Sequence, residues 1–152
     1  MQRLKAWWPA AVWMGVIFMM SAMPGDVSSD QSGLLVNLVL WVANLLFGAD
    51  AAAKLSPDTI HLLIRKGAHM AEYAVLFWCY HRALKFEGIR HPRLCALLLC
   101  ACYAATDEWH QSFTEGRGPS PVDVGIDTLG AALALSVQYF GERMTQGMKK
   151  AA

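Results

Sequence analysis

The stretch LLIRKGAHMAEYAVLFWCYHR, residues 62–82, decides how the chain is to be read. Its second half, Ala74 to Tyr80, carries no charge, whereas its first half carries Arg65, Lys66, His69 and Glu72. These polar positions are ordered. Arg65, His69 and Glu72 follow i, i+4, i+7 and share one helix face, with Lys66, His69 and Tyr73 along its edge. Just upstream, Ser56-Pro57-Asp58 has the form of a helix start, with Ser as cap, Pro in the first turn and then an acid. A helix is predicted from there to about Leu84. About 20 residues span a bilayer core, so the segment has membrane length but is polar at one end.

Three other segments have membrane length, and the last two of them are likewise polar at one end. Ala6 to Met23 is an uncharged run behind the basic flank Gln2-Arg3-Leu4-Lys5. It is longer than a signal h-region of roughly 7–15 residues, and no small-x-small cleavage site follows. It therefore reads as a retained first transmembrane helix, and Pro9 near its start is tolerable there. Leu94 to Phe113 and Val122 to Gly141 complete the set. The uncharged run from Gln31 to Ala49 differs, since it carries Asn37 and Asn44 and has Gly33 and Gly48 near its ends.

Composition agrees. The chain has 152 residues, of which 55% are hydrophobic and 16% charged, too apolar for a disordered chain. A net charge of +1 lacks the basic stripe of a nucleic-acid binder, so no nucleic-acid partner is expected. Cys79, Cys95, Cys100 and Cys102 all fall in apolar stretches and read as small buried side chains. Their spacing contains no C-x-x-C pair, zinc finger or disulfide framework.

The distribution of basic residues sets the topology. Segments 6–23, 62–81, 94–113 and 122–141 are taken as spans, and 31–49 is not. Nine of the 13 Lys and Arg then share one side: Arg3, Lys5, Arg82, Lys85, Arg90, Arg93, Arg143, Lys149 and Lys150. Lys54, Arg65, Lys66 and Arg117 fall on or near the other. Letting 31–49 span would move the basic 82–93 loop outside. The expected fold is all-α, one domain over 1–152, a polytopic membrane bundle of four transmembrane helices with both termini cytoplasmic. A re-entrant or interfacial helix at about 31–49 lies on the outer side, its Asn stripe turned to protein or water. The small residues Gly125, Gly130, Ala131, Ala132, Ala134 and Gly141 suit close helix packing in lipid.

Depth can be counted at about 1.5 Å per residue from the inner basic anchors. From Arg82, Lys66 lies ~24 Å up, His69 ~20 Å and Glu72 ~15 Å. From Arg93, Asp107 lies ~21 Å and Glu108 ~22 Å up, and from Arg143, Asp127 lies ~24 Å and Asp123 ~30 Å up. Three helices thus bring ionisable groups to similar heights, mostly in the outer third of the bilayer. Asp107 and Gln111 are i, i+4, as are Asp123 and Asp127. A lone charge at that depth costs at least ~2.5 kcal/mol, so each needs a partner or water. Lys66 and Arg117 are the expected partners of Asp107, Glu108 and Asp127. Ion pairs that only hold the bundle together would explain one pair, but hardly so many polar groups at one level. His61, His81 and His91 read as interface residues, and His110 projects away from Asp107 and Gln111. Arg117 sits in the turn Gly116-Arg117-Gly118-Pro119, from which its fork can fold back to clamp a carboxylate or phosphate.

Taken together, Arg65-Lys66-x-x-His69-x-x-Glu72-Tyr73, Asp107-Glu108-x-x-Gln111-x-Phe113-x-x-x-Arg117 and Asp123-x-x-x-Asp127-x-x-Gly130 resemble the VanZ-like family, as do Ser21 and Pro24 after the first helix. The resemblance covers residues 14 to about 141, and the order of the blocks makes it specific. Glu115-Gly116 departs from the family's Pro-containing approach to the Arg and reshapes the loop. Asp127 stands where Asn is frequent and adds a negative charge.

The resemblance implies a multi-pass protein of the bacterial plasma membrane, from a family named for a protein linked to teicoplanin resistance. It does not supply a reaction. Three readings follow. In the first, Lys66, His69 and Arg117 hold an anionic lipid head group or cell-wall lipid intermediate such as a polyprenyl phosphate. Glu72, Asp107 or Glu108 then acts as general acid or base beside His69. Arg65, Tyr73, Gln111, Asp123 and Asp127 complete the substrate-binding set. A divalent cation on Asp107, Glu108, Asp123 and Asp127 is a variant, less expected because a resident Lys or Arg neutralises the same acids. In the second, the protein is non-catalytic and modulates the cell surface or a partner, since Ser21, Thr106 and Tyr73 lie in no nucleophile motif. In the third, it is a small proton-coupled transporter.

Overall fold

The computed structural model describes residues 1–22, 33, 36–42, 44–45, 56–114, 118 and 120–151. Four long helices carry the fold: α1 (Gln2–Ser21), α2 (Pro57–Phe86), α3 (Pro92–Gln111) and α4 (Pro121–Ala151). Among the described residues there is no strand, so the all-α expectation holds. Of the expected outer helix at 31–49, residues 33, 36–42 and 44–45 are described and helical, and its ends lie outside the described residues. Within it Asn37 is exposed and Asn44 half-buried.

Each helix begins and ends where local chemistry directs. Pro57 and Pro92 occupy first-turn positions, where a missing N–H costs nothing. Ser56 precedes α2 as expected, but its hydroxyl makes no capping hydrogen bond. At the other end of α2, the Gly88 N–H donates to Lys85 O and the Ile89 N–H to Leu84 O, both at 3.1 Å. This is the Schellman pattern, and Gly88 takes the φ of +73° that it requires. The helix therefore stops in a defined geometry, and α3 restarts a few residues later.

Helix α2 is the centre of the assembly and packs against α1, α3 and α4. Its fully buried Tyr73, Leu76 and Phe77 meet Ile17 of α1, Cys100 and Ala104 of α3, and Ala131 of α4 in one core. Small residues let the partners approach. Helix α1 buries Ala6, Ala10, Ile17 and Ser21, and α4 sets Gly130 against the α2 backbone at Met70. Of the small-residue run in α4, Gly130, Ala131 and Ala134 are buried, while a Cβ at Gly125 or Gly141 would meet nothing. Only the middle of that run is therefore used for close approach.

Two expectations are corrected. Cys100 is buried, but Cys79 and Cys95 are half-buried and Cys102 is exposed, so the cysteines are not uniformly core residues. Cys102 is exposed because it lies two positions beyond Cys100, on the opposite side of α3. His81 is no plain interface residue. It is buried, stacks on Phe77 at 6.0 Å and lies 3.2 Å from Gln138 Nε2.

Among the described residues, no helix is long and apolar enough to cross a membrane. The length is present in all four, and the apolarity is diluted by polar residues, as Arg65, Lys66, His69 and Glu72 do within α2.

Candidate functional site: an acid and imidazole cluster across three helices

The upper ends of α2, α3 and α4 bring together most of the ionisable residues that the spacing singles out. The Nδ1 of His69 on α2 lies 3.8 Å from Glu72 Oε2 and 3.8 Å from Asp127 Oδ1 on α4. The imidazole thus sits between two carboxylates, at a distance just beyond direct hydrogen bonding. Asp127 is 1% exposed, and its Oδ1 makes no hydrogen bond among the described residues. The core residue Tyr73 lies one turn from His69, and its hydroxyl has no hydrogen-bond partner among the described residues.

Helix α3 contributes Asp107, Glu108 and Gln111, all buried. The i, i+4 spacing of Asp107 and Gln111 produces the contact it suggests, with Gln111 Nε2 donating to Asp107 Oδ2 at 3.1 Å. Glu108 instead reaches the start of α4, where its Oε2 accepts the Ser120 N–H at 2.8 Å. Ser120 in turn accepts the Asp123 N–H on its hydroxyl at 3.3 Å, as a helix cap does. Glu108 therefore joins the end of α3 to the first turn of α4, a place where the helix dipole favours negative charge.

The partner of Lys66 differs from expectation. Its ammonium pairs with Asp123 at the start of α4, not with Asp107, Glu108 or Asp127. The cause is the rotation of α4, whose Gly130 contact on Met70 turns Asp123 towards Lys66 and Asp127 towards His69. Arg65 is half-buried and makes no ion pair among the described residues. Arg117 lies outside the described residues. No group of three His, Cys, Asp or Glu among the described residues is gathered as a metal site would need.

Of the nucleophile candidates, Thr106 is exposed and its hydroxyl is bonded to its own helix, at Tyr103 O, 2.7 Å. Ser21 is buried at the end of α1. His110 packs its ring 4.1 Å from that of Phe18 on α1.

Helix α1 supports the cluster without adding charge to it. The Trp13 indole donates to the Glu72 carbonyl at 2.8 Å, and the Tyr103 hydroxyl donates to the Met14 carbonyl at 2.7 Å. Neither contact is foreseen in the sequence, whose polar pattern points to α2, α3 and α4 alone. The Ser120 link is different, because Ser120-Pro121-x-Asp123 repeats the helix-start form seen at Ser56-Pro57-Asp58.

Residues 6–141 match the VanZ/LLP1 family. The chain belongs to the VanZ/LLP1 family. Searches of curated proteins and of solved structures return no match. The residues that carry the VanZ/LLP1 resemblance are those gathered here, since the motif from Arg65 to Tyr73, the motif from Asp107 to Gln111 and the motif from Asp123 to Gly130 meet at one level of the protein. In this VanZ/LLP1 protein two carboxylates (Glu72 and Asp127) flank one imidazole, a third (Asp123) pairs with one ammonium, and Asp107 and Glu108 are buried on the adjoining α3. Such a group can relay or donate protons, and can polarise a polar group placed between His69, Glu72 and Asp127.

Proposed function

We propose that this VanZ/LLP1 protein is an integral protein of the bacterial plasma membrane that engages the anionic head group of an envelope lipid, a polyprenyl phosphate being one candidate. The single observation that carries the reading is His69 held between Glu72 and Asp127, each at 3.8 Å, one turn from the cation Lys66. Lys66, Arg65 and Arg117 would receive the phosphate, with Asp123 releasing Lys66 to it. His69 with Glu72, Asp107 or Glu108 would move protons on the bound group. Tyr73, Gln111 and Asp127 would form its walls. Family membership supports a relation to glycopeptide resistance.

The membrane setting is supported by which side chains face outward. Buried positions include Asp107, Glu108, Gln111, Asp127 and Gln138, while Leu98, Trp109, Val137 and Phe140 are each more than half exposed. A water-soluble bundle arranges these classes the other way round. The hydropathy of a helix averages its two faces, whereas lipid meets only the outer one, and intramembrane charges face the bundle interior. Exposed Trp8, Trp78 and Phe140 near the basic end, and Trp109 and Phe113 near the other, have the placement of two interfacial aromatic belts. In this arrangement both termini are cytoplasmic and the acid and imidazole cluster faces outward.

Two experiments test the reading. Purified protein is incubated with labelled polyprenyl phosphate and phospholipids, with and without Mg²⁺, and products are sought by mass spectrometry. Turnover that Glu72→Gln abolishes supports proton-transfer chemistry, retention without turnover supports a non-catalytic lipid binder, and neither overturns the reading. Separately, in intact membranes Cys102 should react slowly even with a lipid-soluble maleimide, because a thiol facing lipid does not ionise, and quickly once the protein is unfolded in detergent. Fast labelling in intact membranes would place Cys102 in water.

A proton-coupled transporter is the second reading, favoured by the excess of carboxylates over cations in the cluster. Proton uptake by proteoliposomes that depends on Asp127 would select it.

A further inference from the structure

We propose a second binding site, for a phosphate-bearing anion, at the opposite end of the bundle. Its basis is a cavity of about 400 Å³ between the end of α2, the start of α3 and the later half of α4. Its walls include Lys85, Arg90, His91 and Arg93, with His81 and Glu142. The volume lies in the range of small-ligand pockets. Along α2, Lys85 is 13 residues beyond Glu72, so the two sites stand ~20 Å apart. The inference shares the membrane setting proposed above but not the chemistry of the first site.

Charge selects the ligand class. Among the described residues three cations line the cavity against one carboxylate, and that carboxylate, Glu142, is already paired with Arg93. Lys85 and Arg90 make no ion pair among the described residues. Two positive charges are therefore in excess, which matches a phosphate monoester carrying close to two negative charges near neutral pH. Guanidinium forks and an ammonium are the side chains that recognise such a group.

The backbone adds to this. The first turn of α3 has no acidic residue, and its N-cap, His91, makes no side-chain capping bond. The dipole end of a 20-residue helix is thus left without a resident anion, beside a cationic cavity. The site is also preformed. Gly88 fixes the loop through its Schellman bonds and Pro92 fixes the start of α3, so Arg90 and Arg93 are carried on a defined frame. His81 is held by Gln138, which also donates to Glu142 at 3.1 Å.

A phosphomonoester can come from a lipid head group or from solution, and the test separates the two. The full chain is placed in nanodiscs of phosphatidylcholine and titrated with inorganic phosphate. In a second arm, nanodiscs containing phosphatidic acid are compared with pure phosphatidylcholine for saturable ³¹P line broadening. Saturation in the first arm assigns a soluble phosphate, and in the second arm alone a head group. The double variant Lys85→Ala/Arg90→Ala, at two exposed positions, should weaken binding by about tenfold or more. Glu142→Gln should strengthen it, because it frees Arg93 and removes the one carboxylate among the described lining residues. No saturation in either arm, indifference to the double variant, or weaker binding in Glu142→Gln would each overturn the proposal.

Discussion

Gly130 of α4 lies against the backbone of Met70 on α2, so close that a Cβ there would sit 2.7 Å from Met70 Cα and overlap its carbonyl. The obstacle is helix backbone, which cannot rotate away. Gly130→Ala should therefore force the helices apart and cost about 1–3 kcal/mol, as overpacking does. Thermal unfolding in detergent measures it. Gly125→Ala, in open space, is the control and should be neutral or slightly stabilising.

Glu108 holds the Ser120 N–H across the α3–α4 junction. Glu108→Ala leaves that donor without its acceptor and should cost about 1–3 kcal/mol in the same measurement. Glu108→Gln keeps an acceptor oxygen and should recover most of the loss. Lipid turnover that disappears in the stable Gln variant would mark Glu108 as chemical as well as structural.

Asp127 is almost fully buried without a hydrogen bond to its Oδ1 among the described residues. Keeping a carboxylate there is expensive, and Asn has the same shape without the charge. Asp127→Asn should therefore leave the melting temperature unchanged or raised while head-group binding or turnover falls. A fall in stability as large as that of Gly130→Ala would assign Asp127 to holding the bundle.

The hydrogen bond from Arg93 holds the Glu142 carboxyl below the usual carboxylate range. An acid depressed in the folded state adds stability above its unfolded value and loses it as pH falls through the folded one. The side chain is 43% exposed, so the effect on folding is small and the titration itself is the better measure. By NMR the Glu142 midpoint should lie below that of free glutamate and return towards it in Arg93→Gln.

Spacing alone conveyed what lies on a single helix. The start of α2 follows from three consecutive residues, Ser56-Pro57-Asp58, and the Asp107–Gln111 contact and the shared face of His69 and Glu72 from residues three or four apart. What spacing cannot convey is how one helix is rotated against another. Lys66 pairs with Asp123 and not with the acids its spacing suggests, because its partner depends on where Gly130 seats α4 on α2. The burial of His81 is invisible to local spacing because its neighbour Gln138 lies 57 positions further on. The membrane assignment meets the same limit, since polarity concentrated on inward faces lowers an average that ignores direction.

Two neighbouring residues of α1 carry a consequence of their own. Trp13 grips α2 at the height of Glu72, and Met14 receives Tyr103 one turn before Asp107 on α3. The first helix, which brings no ionisable group to the cluster, thus acts as its ruler and sets two of the three acid-bearing helices to a common mark. A one-residue insertion between Trp13 and Met14 would therefore put Glu72 and Asp107 out of step without altering either.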